Sequence, residues 1–156
     1  MLFFQMGAMA QNEKVLEAVK NGKPPKIDGV LDDSTWQKAV TATDFYQYEP
    51  YNRKEPSFPT EVKIIYDDRA IYIGAKMYDP NPDSIYRELG NRDFRGLRGG
   101  HGLGSLNADM FSVLLNPFND GVNMMEFTVS ASNVQSDIKH IGRRTDEAWD
   151  AVWCSA

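Results

Sequence analysis

The chain holds one cysteine, Cys154, and two histidines, His101 and His140, in 156 residues. A lone cysteine excludes an internal disulfide framework, and these three side chains share no metal-ligand spacing, which argues against a zinc site. No apolar run approaches the roughly 20 residues of a membrane-spanning helix, so no membrane insertion by this segment is expected. Basic residues are outnumbered 17 to 22, for a net charge of −5. That balance argues against nucleic acid and anionic lipid as partners, because both need a cationic surface. There is no G-x-S-x-G and no cysteine in a nucleophile setting, so no local signature of a catalytic triad exists. The string Gly99-Gly100-His101-Gly102-Leu103-Gly104 is glycine-rich. It lacks the preceding strand and following helix of a dinucleotide loop, and reads instead as part of a long surface loop spanning residues 85–108.

Alternation is what the chain has in quantity. In residues 107–135, Phe111, Val113 and Leu115 fall on one face of an extended run, and Met125, Phe127, Val129 and Ala131 on one face of the next. Pro117, Phe118, Asn119, Asp120 and Gly121 form the turn between them, with Asp-Gly supplying the φ values of a reversal. A second hairpin spans residues 60–78. Val62, Ile64 and Tyr66 alternate with Glu61, Lys63 and Ile65, and Asp67-Asp68-Arg69 connects to Ile71, Ile73, Ala75 and Met77. Further strands are expected at Val15–Val19, Phe45–Tyr48, Val134–Ile141 and Trp149–Trp153, and a short helix from Asp33 or Ser34 to Ala39 anchored by Trp36. Short strands with regular turn signals predict an all-β antiparallel sandwich or barrel. Val62, Ile64, Ile71, Ile73, Phe111, Val113, Phe127 and Val129 are the expected core.

Residues 1–10, MLFFQMGAMA, are apolar and end in the small-x-small pattern Ala8-Met9-Ala10, and polar Gln11 follows. They read as a signal-peptide remnant, the alternative being an apolar N-terminus without order. The expected domain is therefore 11–156. For binding, the supply is aromatic: Tyr46, Tyr48, Tyr51, Phe58, Trp149 and Trp153 offer flat rings for sugar C–H faces, and Arg92 a donor for hydroxyls. Core packing is the competing role for Trp36 and for at least one of Trp149 and Trp153, which share a strand face with Ala151. Asp67, Asp68, Asp79, Asp83 and Asn81 are hard oxygen donors on two turns and candidates for calcium; the alternative is that they bond their own backbone. Glu49, Glu55, Glu61, Glu126 and Asp109 are the carboxylates a glycosidase would draw on, although solvated surface is their ordinary role.

The segments PKIDGVLDDSTWQKA, TEVKIIYDDRAIYIGAKMYD, NADMFSVLLNPFND, EFTV followed by NVQSD, and WDAVW occur in that order from Pro25 to Trp153. In this the chain resembles the family 9 carbohydrate-binding-module-like domains, more closely the version at the N-terminus of large surface proteins of Gram-negative bacteria. The resemblance implies a jelly-roll β-sandwich that is not itself catalytic and that in some members binds a glycan or polysaccharide, with calcium in structural roles. It also implies export to the periplasm, outer membrane or cell surface. Tyr48, Tyr51, Arg92 and Trp149 are the ligand candidates on this reading, and Asp67, Asp79 and Asp83 the metal candidates. Characterised glycan binders carry a Trp about where Leu106 stands, a Glu about where Ser112 stands and an Arg about where Thr128 stands. The fold thus carries over better than the sugar site, and a structural or protein-interaction domain is the alternative function. The resemblance further implies strands beyond Ala156, hence a domain incomplete at its C-terminus, whose open sheet edges would favour oligomers.

Overall fold

The computed structural model describes residues 14–93 and 106–156. The expected signal-peptide remnant, residues 1–10, and most of the glycine-rich loop, with Arg95, Arg98 and His101, lie outside the described residues. Among the described residues, eight strands in two four-stranded sheets and two short 3-10 turns account for the regular structure, which is all-β as expected. No helix among the described residues is long and apolar enough to cross a membrane. Contacts divide the chain into two compact units. One is built on Leu31–Tyr78 with the residues up to Pro25, the other on Asp79–Ala156 with Lys26–Val30.

In the first unit, β1 (Val19–Lys20), β2 (Thr41–Ala42), β3 (Thr60–Tyr66) and β4 (Ile71–Met77) form one sheet. The β3–β4 hairpin runs in unbroken antiparallel register from Thr60↔Met77 to Tyr66↔Ile71. β2 pairs antiparallel and β1 parallel with the other edge of β3. The expected strand at Val15–Val19 shrinks to Val19–Lys20, and the one expected at Phe45–Tyr48 does not form. Asp44, just before it, sits at φ 58°, outside the extended region, and the pairing residues are the preceding Thr41 and Ala42.

The expected inner face of this hairpin also needs correction. Ile65 is the fully buried residue, packed with Trp36 and Ala39, while Ile71 is 57 % exposed at the turn end of an edge strand. Val62 is buried as expected, and Ile64 and Ile73 are half-buried. The strand carries apolar residues at consecutive positions and is buried on both sides: Val62 lies on the expected face, and Trp36 seals the opposite one over Ile65. It does so from a 3-10 turn, Ser34–Lys38, held by the main-chain bonds Trp36 N to Asp33 O and Ala39 N to Trp36 O, with no side-chain cap. Gly74 faces the same cluster because a Cβ there would lie 2.6 Å from a Leu31 methyl and 3.2 Å from the Trp36 ring.

The second unit is a meander of β5 (Met110–Leu115), β6 (Asn123–Ser130), β7 (Gln135–Ile141) and β8 (Arg144–Asp146), each antiparallel to the next. β8 occupies residues that lie between the expected strands Val134–Ile141 and Trp149–Trp153, because the reversal is tight and centres on Gly142 at φ 61°. Trp149–Trp153 forms no strand. Phe111, Val113, Phe127 and Val129 are half-buried. Leu106 and Val134 instead form a small buried cluster with Ala108 and Met110 beside them.

Both hairpins are closed by an aspartate. Asp67 Oδ1 accepts the amides of Arg69 (2.8 Å) and Ala70 (2.9 Å), and its Oδ2 accepts the Tyr72 hydroxyl. Asp120 Oδ1 accepts the amides of Val122 and Asn123, both at 2.8 Å. These backbone donors hold both carboxyls below their ordinary value of 3.8. Stability from such a group is complete above the unfolded value and is lost as pH falls through the lower, folded value. Replacing Asp67 with Asn keeps an acceptor but removes the charge, so Asp67→Asn should flatten the fall in thermal midpoint between neutral and acid pH relative to wild type. Trp36→Ala should cost about 3–5 kcal/mol in denaturant titration. The Trp36 indole N–H has no hydrogen-bond partner among the described residues, so Trp36→Phe should cost about half of that or less.

Candidate functional site

The aromatic candidates of the first unit sit on the segment between β2 and β3. Its neck is pinned by the main chain: Gln47 N donates to Lys54 O (2.8 Å), Arg53 N to Gln47 O (2.9 Å) and Lys54 N to Tyr51 O (3.1 Å). Gln47 Nε2 adds a bond to Ser57 Oγ at 3.3 Å. The tip between these bonds carries Tyr48, 80 % exposed, and Tyr51, 60 % exposed. Tyr46 and Phe58 flank it and are exposed as well. The Lys54 ammonium lies 4.3 Å from the Tyr51 ring centroid and holds that ring in place. A short loop with a bonded neck thus presents large flat rings to solvent at little ordering cost, which is what stacking on a sugar face demands.

Arg92 and Trp149, the candidates in the second unit, are both committed to the protein. The Arg92 guanidinium donates from Nη1 to Gln135 Oε1 (2.6 Å) and from Nη2 to Asp137 Oδ1 (2.9 Å), Asp150 Oδ1 (3.0 Å) and Ala151 O (2.9 Å). Burial works against its charge, but the carboxylates of Asp137, Asp93 and Asp150 outweigh this and raise it above its ordinary value. Asp137 is 1 % exposed and is the centre of the group. Besides Arg92 it accepts the Ala151 amide at Oδ2 (2.6 Å) and the Trp153 indole N–H at Oδ1 (3.1 Å). Trp149 and Trp153 meet the Phe127 ring edge-on, with centroids 5.8 and 5.5 Å away. Since Phe127 pairs with Asp137 across β6 and β7, one row of the sheet carries both the apolar and the polar anchor of the 149–155 segment. This is how that segment is held without being a strand. Its alternation is real, with Trp149, Ala151 and Trp153 half-buried and Asp150, Val152 and Cys154 exposed, but side chains hold it where a ladder was expected.

The metal candidates are engaged by their own turns. Asp67 caps the β3–β4 turn; Asp79 accepts the Asn81 amide (2.7 Å) and the Ser84 hydroxyl (3.1 Å); Asp83 lies within the 3-10 turn Pro82–Ser84. Asp68 pairs with Lys20 at 2.5 Å. Among the described residues no group of three or more His, Cys, Asp or Glu is arranged to hold a metal ion. Of the carboxylates weighed for hydrolysis, Glu126 contacts His140 at 2.7 Å, Glu61 accepts the Tyr78 hydroxyl and Asp109 accepts the Tyr86 amide. Where the resemblance expects a charged Glu and Arg, Ser112 and Thr128 stand directly opposite each other, their hydroxyls 2.7 Å apart. Leu106, in place of the expected Trp, belongs to the buried cluster.

Asp137 escaped the reading of the sequence, although a signal was present. In the strand expected at 134–141 it is an acidic residue on the same parity as Gln135 and Lys139, with Ser136 and Ile138 buried on either side. A carboxylate in the middle of a strand needs donors, and Trp and Arg within reach in the sequence could supply them. Removing it should expose the point. Asp137→Ala is expected to cost roughly 2–4 kcal/mol, since it strips partners from Arg92, Ala151 and Trp153 together. Asp150, whose side chain is 75 % exposed, should cost less than about 1 kcal/mol as Ala. Tryptophan emission should move to the red in the Asp137 variant below its melting point and stay unchanged in the Asp150 variant.

Comparison with known proteins bears on the first unit and on the start of the second. No curated protein and no solved structure matches the chain. Residues 27–95, which include Trp36, Tyr48, Tyr51 and Arg92, match the family described as carbohydrate family 9 binding domain-like, and over that stretch the resemblance read from the sequence is confirmed.

Proposed function

We propose that the chain is a non-catalytic glycan-binding module of an exported or outer-membrane-associated protein, and that the loop carrying Tyr48 and Tyr51 is its contact surface. One observation carries this reading: two exposed tyrosines stand on a loop with a bonded neck, inside the stretch that matches a carbohydrate-binding family. Arg92 and Trp149 are assigned to the framework of the second unit, because their polar and aromatic groups are already spent on Gln135, Asp137, Asp150 and Phe127. The apolar Met1–Ala10 stretch ending in Ala8-Met9-Ala10 supports the exported location. The second reading, a protein-interaction domain, draws on the Ser112–Thr128 hydroxyl pair, which offers no charge to a sugar.

Affinity electrophoresis through gels containing soluble polysaccharides, with and without calcium, separates these readings. Retardation by at least one polysaccharide is expected. Tyr48→Ala and Tyr51→Ala should each weaken it about tenfold without changing the melting temperature. Retardation that survives both substitutions moves the contact surface elsewhere, and no retardation by any polysaccharide favours the interaction domain.

A further inference from the structure

The outer edge of β4 carries an inference independent of glycan binding. Asp67 N donates to Ala70 O and Tyr78 N to Pro59 O, both at 3.0 Å, and these bonds close the two ends of the β3–β4 ladder. Hydrogen-bonded and non-bonded pairs alternate between them. Tyr72, Gly74 and Lys76 therefore direct their main-chain groups to β3, while Ile71, Ile73, Ala75 and Met77 direct theirs away from it. Among the described residues no strand pairs with that far edge. β4 also lacks the devices that usually protect an edge: it has no proline, its register with β3 is unbroken, and it carries one charge, Lys76.

We propose that β4 pairs antiparallel with β4 of a second copy of this chain, about a two-fold axis through Gly74. The seven residues Ile-Tyr-Ile-Gly-Ala-Lys-Met are self-complementary about that centre. Ile71 faces Met77 of the other copy, Tyr72 faces Lys76, and Ile73 faces Ala75. The outward-directed residues then meet each other, as a bonded ladder requires. Ile71 and Met77 are 57 % and 55 % exposed in the single chain, and the pairing brings these two apolar side chains together at each end. Tyr72 opposite Lys76 sets a ring against a cation that already lies 4.8 Å from the Tyr78 ring within its own chain. An unrelated extended peptide would satisfy the main chain equally well but not these side-chain pairs, so a second copy is the occupant that fits.

Sedimentation equilibrium on the full chain, with reductant to keep Cys154 from cross-linking, tests the pairing. A reversible dimer is expected. Two double variants differ only in the sign of one charge: Ile71→Lys with Met77→Lys sets like charges opposite each other, and Ile71→Glu with Met77→Lys sets opposite charges. The first should raise the dissociation constant about tenfold or more, and the second should leave it near wild type. Far-UV circular dichroism shows whether each is folded; should either fail, Ile71→Glu alone and its rescue by Met77→Lys give the same comparison. A wild-type chain that stays monomeric overturns the proposal. A dimer that responds identically to both charge arrangements overturns it as well.

Discussion

The second unit is organised around one buried carboxylate. Asp137 on β7 receives the Arg92 guanidinium, the Ala151 amide and the Trp153 indole N–H. Taking a carboxylate out of water costs several kcal/mol unless donors replace the lost hydration. Three donors from two distant stretches of chain do so here, and each stretch is thereby fixed. Arg92 brings the first part of the long loop onto the start of β7, where Asp93 N also bonds Gln135 O at 2.9 Å. Ala151 and Trp153 bring in the segment after β8. Its further anchors follow the same line, with Ser155 accepting from Gln135 Nε2 at 2.8 Å and donating to Asn133 Oδ1 at 2.5 Å.

That arrangement bears on where recognition takes place. An arginine and two tryptophans close together look like a sugar site when read as a list. Geometry assigns them differently, because four acceptors surround the guanidinium and the indoles stand edge-on to Phe127. A side chain whose hydrogen-bonding capacity is used internally has to break those bonds to take up a ligand. Tyr48 and Tyr51 have no such commitment of their rings beyond the lysine beside Tyr51, and their loop is bonded at its neck rather than at its tip.

The strands that could be read from sequence are those in which alternation, length and turn chemistry agree. β3–β4 and β5–β6 are seven or eight residues long, apart from the six-residue β5, each hairpin has an aspartate-closed turn, and their pairing is as expected. β1, β2 and β8 are two or three residues long, too short for any period to show. Their positions are set by what β3 and β7 leave unpaired, which is a tertiary matter. That β3 is buried on its second face as well is not legible for a related reason. Val62, Ile64 and Ile65 are all apolar, so nothing in the strand itself says that Trp36 covers Ile65. The Trp149–Trp153 segment shows the opposite case, in which the alternation is correctly read but belongs to a chain held by side chains.

For the sugar site, register and content have to be separated. Ser112 and Thr128 are Cα partners on β5 and β6, so the two positions at which glycan binders place opposite charges are still neighbours here. The register sets side by side the two positions at which the resemblance implies a charged pair, and the side chains present there satisfy one another through a single hydroxyl bond. Leu106 makes the same point from the core: it is 7 % exposed beside Val134, and a tryptophan there would have to displace that packing before its ring could reach solvent. All three positions lie beyond residue 95, where the family match ends. The matched stretch and these three positions therefore speak about different parts of the chain. The likeness to carbohydrate-binding domains covers residues 27–95, which hold Trp36, the β3–β4 hairpin and the aromatic loop, and the proposed binding role rests on that loop rather than on the β5–β6 face.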